Sequence, residues 1–214
     1  MMETENELEQ YILTHSEEED PVLKELDRET HLNILRPRML SGHLQGKLLE
    51  LLSKMTGPKR ILEIGTFTGY SAICLAKGLK EGGKLHTIEM NDELEPIAKK
   101  YIAKAGLSDV IIQHIGDACS IIPELDESFD LVFLDGDKRE YCRYFDLVFD
   151  KVKTGGFVIA DNILWSGKVT ETLDPKDEQT AGIIRFNEKM KHDPRVSQLI
   201  LPLRDGLMLI RKNT

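Results

Sequence analysis

The chain is poor in the features that would assign its class at a glance. Its three cysteines, Cys74, Cys119 and Cys142, are odd in number and unclustered in 214 residues, which excludes a disulfide framework and the paired spacing of a zinc site. No apolar run approaches the ~20 residues needed to cross a bilayer. The opening Met-Met-Glu-Thr-Glu-Asn-Glu lacks the basic and apolar regions of a secretory signal. A cytoplasmic protein with no membrane contact is expected. There is no internal repeat, no low-complexity tract and no linker rich in Pro, Gly or Ser. One domain is therefore expected over 1–214, with N-terminal helices over 1–57 and an α/β core over 58–214.

Basic charge is also scarce. The formal net charge is -9, and of the 37 acids eleven lie in residues 1–30 against only Lys24 and Arg28. The rest of the chain balances, so no basic stripe marks a nucleic-acid partner. The acidic start reads as a pair of solvated helices.

Hydrophobic patterning supplies the architecture. Residues 5–14 and 18–35 read as amphipathic helices, the second carrying Val22, Leu23, Leu26 and Leu35 at helical spacing. A third helix is expected over 43–55, stopped by Thr56-Gly-Pro58. From residue 60 apolar strands at about 60–64, 84–89, 109–115, 130–134 and 156–160 alternate with helical stretches at 69–80, 92–105, 117–125 and 138–152. Such alternation predicts a doubly wound α/β fold, a parallel sheet covered on both faces. A helix near 178–191 follows. Strands at 196–202 and 206–211 are joined by Pro202-Leu-Arg-Asp-Gly206 and suit an antiparallel pair at the sheet edge.

The first strand runs Arg60-Ile-Leu-Glu-Ile-Gly65 into a turn and a helix, and the second strand ends on Glu89, 24 residues after Gly65. In a doubly wound domain this is how an adenosine is held, with backbone close to the ligand and a second-strand carboxylate on the ribose hydroxyls. Gly65-Thr-Phe-Thr-Gly69 lacks the middle glycine that lets a pyrophosphate approach. That disfavours a nicotinamide-dependent oxidoreductase. Glu63 would repel phosphate but attract a cationic group, and S-adenosylmethionine carries both an ammonium and a sulfonium. The third strand ends in Gly116-Asp117-Ala118, where Asp117 reads equally well as the cap of the next helix.

The fourth strand ends in Leu134-Asp-Gly-Asp-Lys138 and the fifth in Ala160-Asp-Asn162. Ligands of open α/β sheets bind beyond the carboxyl ends of strands. If these strands are neighbours, Asp135, Asp161 and Asn162 converge as hard oxygen ligands suited to Mg²⁺, Mn²⁺ or Ca²⁺. The alternative is that Asp135 and Asp137 cap the next helix and Asp161-Asn162 forms an Asx turn. Lys138 stands three residues past Asp135, either as a general base with a pKa lowered in a dry pocket or as a solvated first-turn lysine.

Three segments, Glu63-Ile-Gly-Thr-Phe-Thr-Gly-Tyr-Ser71, Phe133-Leu-Asp-Gly-Asp-Lys138 and Ala160-Asp-Asn-Ile-Leu-Trp-Ser-Gly167, together resemble the cation-dependent O-methyltransferases of caffeoyl-CoA and catechol type. The likeness runs from about residue 36 through Leu201-Pro-Leu-Arg-Asp-Gly-Leu207 to the end. It implies a seven-stranded class I methyltransferase fold, usually a homodimer, acting on a phenolic or catechol-like small molecule. It also implies S-adenosylmethionine contacts at Ser41, Glu63, Gly65, Thr66, Ser71, Glu89, Ala118 and Asp137. The implied cation ligands are Asp135, Asp161 and Asn162, and the implied catalytic lysine is Lys138. Ser166 stands where the plant enzymes carry Asn, and Glu89 follows the catechol enzyme rather than the plant Asp. A silent S-adenosylmethionine-binding module would need no second constellation of acids.

Overall fold

A computed structural model of the chain describes residues 2–214, with side chains from residue 7 onward. The strands are β1 (Arg60–Ile64), β2 (Lys84–Glu89), β3 (Ile111–Ile115), β4 (Phe129–Leu134), β5 (Val152–Ala160), β6 (Val196–Leu201) and β7 (Leu207–Lys212). They form one sheet in the order β3-β2-β1-β4-β5-β7-β6. The first five are parallel, and β7 runs antiparallel to both β5 and β6. This is the doubly wound α/β fold with an antiparallel edge hairpin that the pattern predicts.

Helices α1 (Met2–Thr14), α2 (Pro21–Asn33), α3 (Gly42–Thr56), α4 (Tyr70–Ala76), α5 (Glu95–Lys104), α6 (Ala118–Glu124), α7 (Tyr141–Phe149) and α8 (Glu178–His192) complete the chain. Strand residues alternate between two cores, as the period of two requires. One core joins Leu62, Ile64, Val132 and Leu134 to Tyr141, Phe145, Ile183 and Phe186 of α7 and α8. The other joins Ile61, Leu85, Leu131 and Phe133 to Leu26, Leu49, Ile73 and Tyr101 of α2 to α5. Each such side chain contributes about 1.5–3 kcal/mol when fully buried.

Several boundaries differ from the pattern for local reasons. α2 starts at Pro21 because Asp20 caps it, accepting a hydrogen bond from Val22 N at 2.8 Å. α4 stops at Ala76, just before Gly78, where a Cβ would lie 2.3 Å from Ser53 Oγ. β5 begins four residues earlier than expected, since Val152 pairs with Phe129 before a register shift. β3 starts at Ile111 rather than 109. Between β5 and α8, residues 165–170 form a kinked segment in which Trp165, Ser166 and Gly167 all take positive φ.

The acids of the start lie at the surface and also find basic and phenolic partners there. Lys77 holds Asp20 at 2.7 Å, Lys100 holds Glu29 at 2.5 Å, and Lys104 pairs with Glu25. Tyr101 Oη donates to Glu29 at 2.6 Å and Tyr70 Oη to Glu19 at 2.6 Å. The acids of α2 and its cap thus dock the helix on α4 and α5, leaving α1 with the exposed Leu8 and Tyr11. No helix among the described residues is long and apolar enough to cross a membrane.

Candidate active site

The strand order reverses between β1 and β4, and there the ends of three strands are stepped past one another. Gly65 N donates to Ile88 O at 2.9 Å, Asp135 N to Ile64 O at 2.8 Å, and Asp161 N to Leu134 O at 2.9 Å. Gly65, Asp135 and Asp161 therefore stand in adjacent positions at the carboxyl edge, where such sheets bind ligands. Gly65 has φ +104°, and a Cβ there would lie 2.3 Å from Asp135 O. Only glycine permits this approach of β1 to β4.

Ser41, Gly65, Thr66, Ser71 and Asp135 line one cleft together with Met39 and Leu40. Beneath it Glu63 is fully buried. Its partner across β2 in the register is Thr87, whose hydroxyl donates to Glu63 Oε2 at 2.5 Å. Thr66 Oγ1 lies 2.5 Å from Thr87 Oγ1, and either hydroxyl can donate in this pair. Glu63 Oε1 is buried without a hydrogen-bond partner. Burial raises the Glu63 pKa to about 8; the Ser71 and Thr87 hydroxyls pull it back, while Asp135 and Glu89 add to the rise. A buried acid with an orphaned oxygen fits a cationic ligand, which would supply the missing partner.

Glu89, at the end of β2, accepts from Phe67 N at 2.8 Å and from Asn91 N at 3.0 Å. It braces the Gly65 turn, in which Phe67 takes φ +49°. Ala118 and Asp137 do not line the cleft. Ala118 opens α6, which Asp117 caps through Cys119 N at 3.0 Å. Asp137 caps the 3-10 turn at Lys138–Glu140, accepting from Arg139 N and Nε at 3.0 Å and from Gln179 Nε2 at 3.2 Å. Arg139 holds its carboxyl below the usual range.

Asp135 and Asp161 do come together, because β4 and β5 pair in parallel through Leu134 and Ala160. Burial raises the Asp135 pKa to about 7, with Lys138 opposing the rise and Asp161 adding to it. Burial raises Asp161 as well, again against Lys138. The buried Asp161 carboxylate and the half-buried Asp135 carboxylate beside it, with an amide oxygen at the next residue, are a donor set that a hard divalent cation fits. Asn162 takes φ +57° and its N–H donates to Asp161 Oδ1 at 2.6 Å. The expected Asx turn does not form, because Ile163 N, the donor it needs, bonds Gly206 O at 3.1 Å.

Lys138 is 6% exposed, so it is not a solvated first-turn lysine. Its Nζ donates to Asp135 Oδ1 and to Tyr141 Oη, both at 2.7 Å. Tyr141 Oη in turn reaches the carbonyl oxygens of Leu134 at 3.0 Å and Asp161 at 3.1 Å. The lysine is thereby held at the ends of β4 and β5.

Three contributors escape a reading of the sequence. Tyr141 lies three residues past Lys138, a helical spacing that marks it only once the lysine is known. Gln45 of α3 donates to Asp161 Oδ2 at 2.6 Å across 116 residues. Arg204, between β6 and β7, donates to Leu40 O at 2.8 Å and to Ser41 O, fixing the segment that flanks the cleft. Neither long-range contact leaves a local signal.

Residues 13–213 match the O-methyltransferase family. The chain is 34% identical over 221 residues to a caffeoyl-CoA O-methyltransferase of Eucalyptus gunnii, covering 95% of this chain and 86% of the relative. It is 36% identical over 165 residues to a catechol O-methyltransferase of Niastella koreensis, covering 74% and 73% of the two chains. In structure it is similar to the O-methyltransferase TomG of Streptomyces achromogenes, solved in complex with S-adenosylmethionine, with TM-score 0.92, 33% identity and full coverage of both chains. The chain belongs to the O-methyltransferase family, the S-adenosylmethionine-dependent enzymes of caffeoyl-CoA and catechol type.

Proposed function

We propose that the chain transfers a methyl group from S-adenosylmethionine to a hydroxyl of a catechol-like small molecule, assisted by a divalent cation, Mg²⁺ foremost. The observation that carries this reading is the convergence of Asp135 and Asp161 at paired strand ends, beside a buried lysine and the glycine turn. Asp135, Asp161 and Asn162 are the residues that would hold the cation. When bound, a cation there supplies Lewis-acid polarisation of two adjacent hydroxyls.

The protein's own groups do the remaining work. Ser41, Glu63, Gly65, Thr66, Ser71, Glu89, Ala118 and Asp137 form the proposed cofactor set, with Glu63 opposite positive charge and Glu89 at the ribose. Lys138, fixed by Asp135 and Tyr141, takes the acceptor proton. General-base help of this kind is typically worth about 10²–10⁴-fold. Holding acceptor oxygen and methyl carbon in line contributes as much as ~7–11 kcal/mol. On these magnitudes, positioning dominates. The relatives named for caffeoyl-CoA and catechol support a vicinal diphenol as acceptor. The test is methyl transfer from labelled S-adenosylmethionine to a panel of vicinal diphenols, with Mg²⁺ and with excess EDTA. Transfer that EDTA abolishes is the expected result; transfer that persists in EDTA rejects cation assistance.

A further inference from the structure

We propose that Gln45 is a positioning residue for the cation site, holding the Asp161 carboxylate in its ligating orientation from α3. The inference rests on the cation-assisted reading above and adds a residue to it.

Gln45 is 1% exposed, and its Nε2 donates to Asp161 Oδ2 at 2.6 Å. The other oxygen, Oδ1, accepts from Asn162 N at 2.6 Å. Asp161 is therefore gripped at both oxygens, by its own turn and by a helix far away in sequence. Rotation of the carboxylate breaks one bond or the other. Burial of a carboxamide is costly unless it is hydrogen-bonded, and an apolar side chain would serve if packing were the only role of this position.

The identity of the donor matters as much as its place. A lysine here would neutralise Asp161 and compete with a cation, whereas a neutral amide orients the carboxylate and leaves its charge intact. α3 is also held firmly enough to act as a reference. Gly46 packs against α4 so closely that a Cβ would lie 2.6 Å from the Tyr70 ring. Ser41, just before α3, is anchored by Arg204 through its carbonyl oxygen. Ser41 is the N-cap of α3, and Gln45 stands at the end of that helix's first turn. The same turn of backbone thus serves the cofactor cleft and Asp161. Removal of an outer hydrogen bond to a ligating group costs about 10–100-fold in metal affinity.

The test is Mn²⁺ binding to the full chain, read from the free-ion signal by electron paramagnetic resonance, for wild type, Gln45→Met, Gln45→Asn and Asp161→Ala. Gln45→Met keeps the shape and removes the donor; Gln45→Asn keeps the amide and removes the reach. The expected result is a rise in the Mn²⁺ Kd of about tenfold or more in both variants. S-adenosylmethionine affinity should stay within about twofold of wild type, and excess Mg²⁺ should restore turnover in Gln45→Met but not in Asp161→Ala. Gln45→Asn decides the matter if Gln45→Met does not fold. Wild-type Mn²⁺ affinity in the folded Gln45 variants overturns the proposal and leaves the cation reading standing. Absence of saturable Mn²⁺ binding in wild type, or undiminished binding in Asp161→Ala, overturns the cation reading and this proposal with it.

Discussion

Two groups of carboxylates in this chain meet opposite fates. On and beside α2, Asp20, Glu25 and Glu29 sit at the surface opposite Lys77, Lys104 and Lys100. The hydrogen bond from Lys104 holds Glu25 below its ordinary pKa, and those from Lys100 and Tyr101 do the same for Glu29. For Asp20 desolvation would raise the pKa, but Lys77 and the backbone N–H groups of Val22 and Leu23 together outweigh it. At the ends of β1, β4 and β5 the order is reversed. There burial dominates, raising Glu63 to about 8 and Asp135 to about 7 and lifting Asp161 in spite of Lys138. The first group is ionised by its neighbours and contributes to docking a helix. The second is held in a state that the apo fold does not satisfy, and such unfavourable placement is what a ligand-binding site requires.

The largest effect should come from breaking the second group. Asp161→Ala removes a proposed cation ligand and the acceptor of the Gln45 amide, and should reduce turnover more than any other single change here. Lys138→Met should follow, with kcat lower by about 10²–10⁴-fold and the cofactor still bound. Both are measured as kcat with saturating S-adenosylmethionine and Mg²⁺. Comparable turnover in Asp161→Ala and wild type would remove chelation from the mechanism.

Glu63→Gln sharpens the contrast by separating stability from function. An acid whose folded pKa is raised from 4.5 to about 8 binds its proton more tightly in the folded state. Its presence therefore destabilises the apo fold progressively as pH rises through that interval. The variant should melt higher than wild type at pH 9, by an amount on the order of a few kcal/mol. The difference should close toward pH 4, where both proteins are neutral at this position. Asp135 titrates in the same direction and repels Glu63, so the difference reads the Glu63 charge together with that repulsion. S-adenosylmethionine affinity should fall in the same variant. A melting difference that is constant from pH 4 to pH 9 would contradict the assignment of buried charge.

How far these groups were legible in the sequence follows from how local they are. Glu63, Asp135 and Asp161 are readable because each ends an apolar strand, and parallel strands deliver their ends to one edge. Gly65 is readable because a strand-to-helix turn needs a positive φ, although its close approach to Asp135 O appears only in the fold. Gln45 and Arg204 act across more than a hundred residues, on a carboxylate and on carbonyl oxygens that no spacing rule connects to them. The acids of α2 lie at the surface, as their charge pattern suggests, but their partners Lys77, Lys100 and Lys104 become visible only when the end of α4 and α5 are packed opposite. The early start of β5 is equally non-local, since the pairing of Val152 with Phe129 draws it into the sheet.

The smallest expected effect tests the first group. Lys77→Ala unpairs Asp20, whose side chain is 34% exposed and also caps α2 through Val22 N. After solvent screening the ion pair should be worth about 0.5 kcal/mol or less. Because the folded pKa of Asp20 is depressed below 3.8, the contribution is present at neutral pH and fades as the pH falls through that depressed value. It should also shrink with added salt, since pairs near the surface are screened over ~8–10 Å at moderate ionic strength. Melting of Lys77→Ala against wild type at low and high NaCl, at pH 7 and pH 3, measures this directly. Turnover per folded molecule should be unchanged. A loss of turnover out of proportion to the melting shift would mean that α2 and its acids belong with the working group after all, and the division between the two sets of carboxylates would have to be redrawn.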